Sequence, residues 1–169
     1  LRFATSAGLS SAQLALISAP GFGAFSLNAS GYLTATALPS YNTWAATNAP
    51  TGGVQDDFDG DGVSNGVEYI LGGNKNTNDL GKLPQGSTPG GNLVFSFQRA
   101  QTSIGGTTIL TVEVGTTLGT WPASYAIPDG AVASDPGVTV VKDSPSPGFD
   151  TVILTLPQGS DAAKFARLK

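Results

Sequence analysis

Asp57, Asp59 and Asp61 alternate along the chain, Gly62 follows, and Glu68 lies seven residues beyond Asp61. Carboxylates at this spacing do one kind of chemistry well, the coordination of a hard cation by oxygen. Residues 57–68 read Asp-Phe-Asp-Gly-Asp-Gly-Val-Ser-Asn-Gly-Val-Glu, which fills the ligand positions of the twelve-residue EF-hand calcium loop. Three aspartates can converge on one ion, and Gly62 permits the turn that brings the loop back. Val63 would offer its backbone carbonyl, Asn65 would reach the ion directly or through water, and Glu68 would close the site with both oxygens. Five of the twelve acidic residues (Asp56, Asp57, Asp59, Asp61 and Glu68) crowd into this stretch, and no Lys or Arg lies between Arg2 and Lys75. Without a cation such carboxylates repel one another. Magnesium prefers tight octahedral geometry with several retained waters, so calcium is the expected ion.

The rest of the composition narrows the chemistry. The chain of 169 residues has no His, Cys or Met. That removes the Ser-His-Asp and Cys-His constellations, the commonest zinc ligands and any disulfide staple. No paired carboxylate motif marks a hydrolase, and the reading is of a protein that is not an enzyme. A net charge of −4 with no basic cluster argues against nucleic acid as a partner. No apolar run approaches the length of a membrane span, and no signal-peptide pattern is present. Leu1 in place of an initiator Met suggests a processed chain or a segment of a longer one. With 40% hydrophobic residues, disorder is not expected.

The elements that must hold the loop are short. Residues 1–5 suit a strand, 9–18 a short helix capped by Ser10 or Ser11, and 22–36 a hairpin turning at Asn28-Ala29-Ser30-Gly31. A helix over 40–48 carries Tyr41 and Trp44, and Pro50 stops it. After the loop, a second short helix would bury Val67, Ile70 and Leu71 and end at Gly72-Gly73. Gly66 inside it costs on the order of 1 kcal/mol of helix propensity. Residues 74–91 read as a polar linker. Strands are expected near 93–99, 108–114, 124–127, 138–142, 151–156 and 164–168, with Leu93, Phe95 and Phe97 sharing one face and Leu110, Val112 and Val114 another. Glu113, opposite that face, reads as solvated.

The predicted fold is therefore mainly β: an antiparallel β-sandwich of fibronectin or immunoglobulin type, preceded by a small helical calcium-loop segment and an N-terminal hairpin region. The expected divisions are 1–39, 40–82 and 83–169. Trp121, Tyr125 and Tyr41 could instead supply a platform on which sugar rings stack.

Tyr41-Asn42-Thr43-Trp44-Ala45-Ala46, the calcium loop through Tyr69, Thr111-Val112-Glu113-Val114, Thr120-Trp121 and Lys164-Phe165-Ala166-Arg167-Leu168 together carry a resemblance. The chain resembles the C-terminal module of large secreted proteins of Verrucomicrobia and Planctomycetes, which often bear autotransporter-associated repeats. Leu1-Arg2-Phe3-Ala4-Thr5 and the stretch from Gly8 to Leu14 are similar to what precedes that module. The resemblance implies an extracellular, cell-surface location and a fibronectin-like sandwich, and no established activity. The expected function is that of a calcium-binding structural module that self-associates or meets other surface proteins, with assembly into fibres through the N-terminal segment. The alternative is a carbohydrate-binding or adhesion module of a secreted polysaccharide-active protein.

Overall fold

The structure is a computed structural model and describes residues 9–17, 22–37, 40–74, 77–105, 108–130 and 135–169. The strand expected at 1–5 lies outside the described residues. Ser10 caps α1 (Ser11–Leu14) with a reciprocal pair of bonds, its Oγ accepting from Gln13 N and its own N–H donating to Gln13 Oε1. β1 (Phe22–Leu27) and β2 (Leu33–Ala37) form the predicted hairpin. Asn28 organises its turn, Oδ1 accepting from the N–H groups of Ser30 and Tyr32, while Gly31 takes a φ of 77°.

α2 (Tyr41–Asn48) starts at Ser40, whose hydroxyl accepts from Thr43 N. α3 (Asn65–Leu71) ends at Gly72 in the left-handed conformation that a glycine C-cap supplies. The two helices meet through Tyr41, Trp44 and Tyr69, whose ring centroids are 5.7 to 5.9 Å apart. Tyr69 also donates its hydroxyl to the Thr102 carbonyl at 3.0 Å, tying α3 to the β-structure.

Seven further strands build two antiparallel sheets. β3 (Gln85–Ser87), β4 (Asn92–Ala100), β8 (Phe149–Pro157) and β7 (Val138–Val141) lie side by side in that order. β6 (Ala123–Ala126), β5 (Thr111–Gly115) and β9 (Phe165–Leu168) form the second sheet. Alternation puts Leu93, Phe95 and Phe97 of the first sheet and Val112 and Val114 of the second into one core, as expected from the period of two. Tyr69, Ile70 and Leu71 of α3 belong to that same core. The core therefore runs across the expected division at residue 82.

Residues 77–91 of the expected 74–91 linker are structured. They hold two short 3-10 turns, Leu80–Lys82 and Pro89–Gly91, with β3 between them, paired through Gln85, Gly86 and Ser87 to Ser96, Phe95 and Val94. Nothing in Gln85-Gly86-Ser87 alternates, because all three residues are exposed and the strand is an edge held by backbone pairing. Among the described residues, no helix is long and apolar enough to cross a membrane.

Glu113 corrects the expectation of a solvated carboxylate. It is 7% exposed and accepts from Arg167 Nε and Nη2 and from Lys169 Nζ at 2.7 to 2.9 Å. Those hydrogen bonds, from Lys169 and then Arg167, hold its pKa below the usual range. Arg167 pairs with Glu113 across the sheet and also lies over the Trp121 ring, 4.4 Å from its centroid.

Candidate metal centre

The loop between α2 and α3 is folded by its own side chains. Asp57 accepts from Gly60 N through Oδ1 (2.7 Å) and from Gly62 N through Oδ2 (2.8 Å), and Gly62 has the positive φ of 92° that the turn demands. These backbone donors, Gly62 first, keep the Asp57 pKa below the ordinary carboxylate range. Asp59 Oδ1 accepts from Asp61 N and Asp61 Oδ1 from Val63 N. One carboxylate oxygen each from Asp57, Asp59 and Asp61 falls within 4.8 Å of the others, the convergence that the alternating spacing anticipates.

Glu68, on α3, is 1% exposed, and neither of its oxygens receives an N–H or hydroxyl donor; its near neighbour is the Asp79 carboxyl. Burial, the charge of Asp59, and the hydrogen-bonding and charge influence of Asp79 push its pKa up to about 7, with a further contribution from Asp61. A buried carboxyl with two unused acceptors is costly unless something positive meets it. Val63, at position seven of the loop, packs with 2% exposure.

Asn65 departs from the expected ligand set. Its side chain is fully buried, Oδ1 accepting from Phe58 N (3.0 Å) and Nδ2 donating to the Gly53 carbonyl (2.9 Å). A buried amide must satisfy both ends, and here the loop backbone satisfies them. Position nine thus staples the loop entry to α3 instead of reaching toward the carboxylates.

Asp79 was not among the expected site residues. It is 1% exposed, its N–H donates to Asp61 Oδ2, and its own Oδ2 accepts from Asn74 N at 2.6 Å. Its Oδ1 has no hydrogen-bond partner, although the Lys82 ammonium lies 3.8 Å away. One signal was available, since Asp79 is the single acidic residue between Glu68 and Glu113.

Two glycines let the parts approach. A Cβ on Gly73 would stand 2.7 Å from both Asp79 Oδ2 and Glu68 Cβ. Gly66 lies equally close to Val54: a Cβ there would be 2.4 Å from Val54 Cγ1 and 3.0 Å from the Val54 carbonyl oxygen, which accepts from Gly66 N. The helix-weakening glycine is a packing requirement. Gly66→Ala gains about 1 kcal/mol of helix propensity but incurs about 1 to 3 kcal/mol of overpacking. Because the carbonyl cannot withdraw without losing its bond, we expect net destabilisation of about 1 kcal/mol, read as a lower urea midpoint.

The three expected stacking aromatics do not form one platform. Tyr125 pairs with Val112 and faces the core, Trp121 lies with Arg167 on the opposite face of that sheet, and Tyr41 packs against Trp44 and Tyr69. No family model, curated protein or solved structure matches the chain.

Proposed function

We propose that the chain is a non-enzymatic structural module of an extracellular surface protein, in which a calcium ion bound by the 57–68 loop locks the helical segment onto the β-sandwich. The observation that carries the reading is Glu68, buried with no N–H or hydroxyl donor to either oxygen and within reach of the charges of Asp59 and Asp61, two of three converging aspartates. Helix α3 supplies Glu68 and, in the next three residues, part of the sandwich core, so order at the ion is order at the core surface. The residues that resemble the secreted module support the extracellular setting, where calcium is abundant enough for a site of modest affinity.

Calcium at ten to a hundred times its Kd adds about 1.4 to 2.7 kcal/mol to stability. For a chain of this length that corresponds to a rise in Tm of about 3 to 10 °C. The wild-type chain is expected to show that rise between chelator and millimolar calcium, and the Asp59→Ala/Asp61→Ala variant to show none. Equal calcium dependence in both would end this reading. Self-association remains part of the proposal, and light scattering with and without calcium tests it. Of the N-terminal segment to which assembly is assigned, residues 1–8, 18–21 and 38–39 lie outside the described ones.

A further inference from the structure

We propose that Asp79 is itself a ligand of the bound cation, so that the ion clamps the segment entering the sandwich as well as the loop. The inference rests on the calcium reading above and extends its ligand set beyond the twelve-residue motif. Its ground is burial and unmet hydrogen bonding, independent of the aspartate cluster. Glu68 and Asp79 are each 1% exposed, no N–H or hydroxyl donates to three of their four carboxylate oxygens, and the two carboxyls are close enough to share a proton. Both border the aspartate cluster, whose converging oxygens are those of Asp57, Asp59 and Asp61: Asp79 bonds Asp61 through its backbone N–H, and its Oδ2 and the Cβ of Glu68 crowd the same side of Gly73.

Coordination number supports the assignment. Calcium takes about 6 to 8 oxygens. Single oxygens from Asp57, Asp59 and Asp61, the Val63 carbonyl and both oxygens of Glu68 provide about six, and Asn65, committed to Phe58 and Gly53, adds none. Asp79 Oδ1 supplies the seventh. Its other oxygen stays on Asn74 N, which holds the carboxylate in place, while Lys82, partly exposed and also donating to the Gly72 carbonyl, flanks it. Such a division, one oxygen on the ion and one on a backbone donor, is how ligating carboxylates are oriented.

A cation held this way links α3 to the turn that leads into β3. The expected functional consequence is that calcium protects residues 77–83, not only the loop, from amide exchange. The test uses calcium and terbium ions as probes on the whole chain. Asp79→Asn should weaken calcium binding by tenfold or more in calorimetry, and terbium luminescence lifetimes in light and heavy water should report about one more bound water than in the wild type. Unchanged affinity with unchanged hydration would refute the assignment. Wild-type chain that binds neither ion would instead refute the calcium reading itself. If Asp79→Asn does not fold, a crystal of the wild type grown in calcium decides: an Asp79 oxygen about 2.3 to 2.6 Å from the ion supports the proposal, and one separated from it by water or by Lys82 overturns it.

Discussion

Glu68→Gln is expected to weaken calcium binding by more than a hundredfold and, in metal-free protein at pH 8, to raise the urea midpoint above that of the wild type. The two effects have one cause. In the proposed site Glu68 would offer two oxygens and a full charge to the ion, so the amide would lose the charge and half of the bidentate grip. Without the ion, the same charge is buried beside Asp59, Asp61 and Asp79. The direction with pH follows from a folded-state pKa of about 7 against 4.5 when exposed. Below pH 4.5 the group is protonated in both states and costs nothing. Between 4.5 and 7 the unfolded chain ionises first, so the metal-free fold loses stability as pH rises, by on the order of 3 kcal/mol. Above 7 the loss is complete. The Gln variant should be nearly flat across that window, and its amide can donate to the neighbouring Asp79 carboxylate. Calcium bound at the proposed site would reverse the sign for the wild type, because binding would expel the proton; affinity should rise about tenfold from pH 6 to pH 8. Chemical unfolding at several pH values in chelator, paired with calorimetry, checks both halves. A wild type whose metal-free stability is flat from pH 4.5 to 7.5 would contradict the buried-charge account.

How much of this was legible in the sequence depends on whether the determinant was local. The convergence of the three aspartates and the turn at Gly62 announced themselves because loop geometry is a matter of neighbours in the chain, and the hydrophobic alternation of 93–97 and 112–114 announced the sandwich core for the same reason. Ser40 and Gly72 marked the outer ends of α2 and α3 through capping chemistry alone. What stayed hidden were partnerships made by folding. Asp79 sits in a polar stretch with no periodicity, and only the approach permitted by Gly73 brings it to Glu68. Asn65 occupies a ligand position by spacing, but Gly53 and Phe58, twelve and seven residues away, claim its amide. Glu113 looked solvated because its cations, Arg167 and Lys169, come from the far end of the chain. Asp150 falls one residue short of the strand expected at 151–156, yet it is buried within β8.

Asp150→Ala should be the most destabilising single change described, lowering stability by about 3 to 5 kcal/mol. Asp150 is fully buried; burial alone would raise its pKa, but the hydrogen bonds from Arg99 and Gln101 and the Arg99 charge outweigh it and hold the pKa low. Its Oδ2 accepts from Arg99 Nη2 at 2.8 Å and its Oδ1 from Gln101 Nε2 at 2.7 Å. Arg99 is itself 2% exposed, its Nε has no partner, and its remaining bond is from Nη1 to the Pro128 carbonyl. Removing the carboxylate would strand that cation in the core, a larger penalty than the pair's own net worth. Replacing both residues together, Arg99→Leu with Asp150→Val, should therefore cost much less than the single change, a non-additivity that separates a stranded charge from lost packing. The contribution is present above the usual carboxylate range and is lost as pH falls below about 4, the opposite sense to Glu68. Arg99 and Asp150 face each other in the β4–β8 ladder, next to Ala100 and Phe149, against which the Gly72 end of α3 packs. Loosening this ladder should therefore also weaken calcium binding, whereas disrupting the loop should leave the Arg99–Asp150 pair intact. Urea unfolding of the single and double variants in saturating calcium measures the first effect, and calorimetric titration of the folded fraction measures the second.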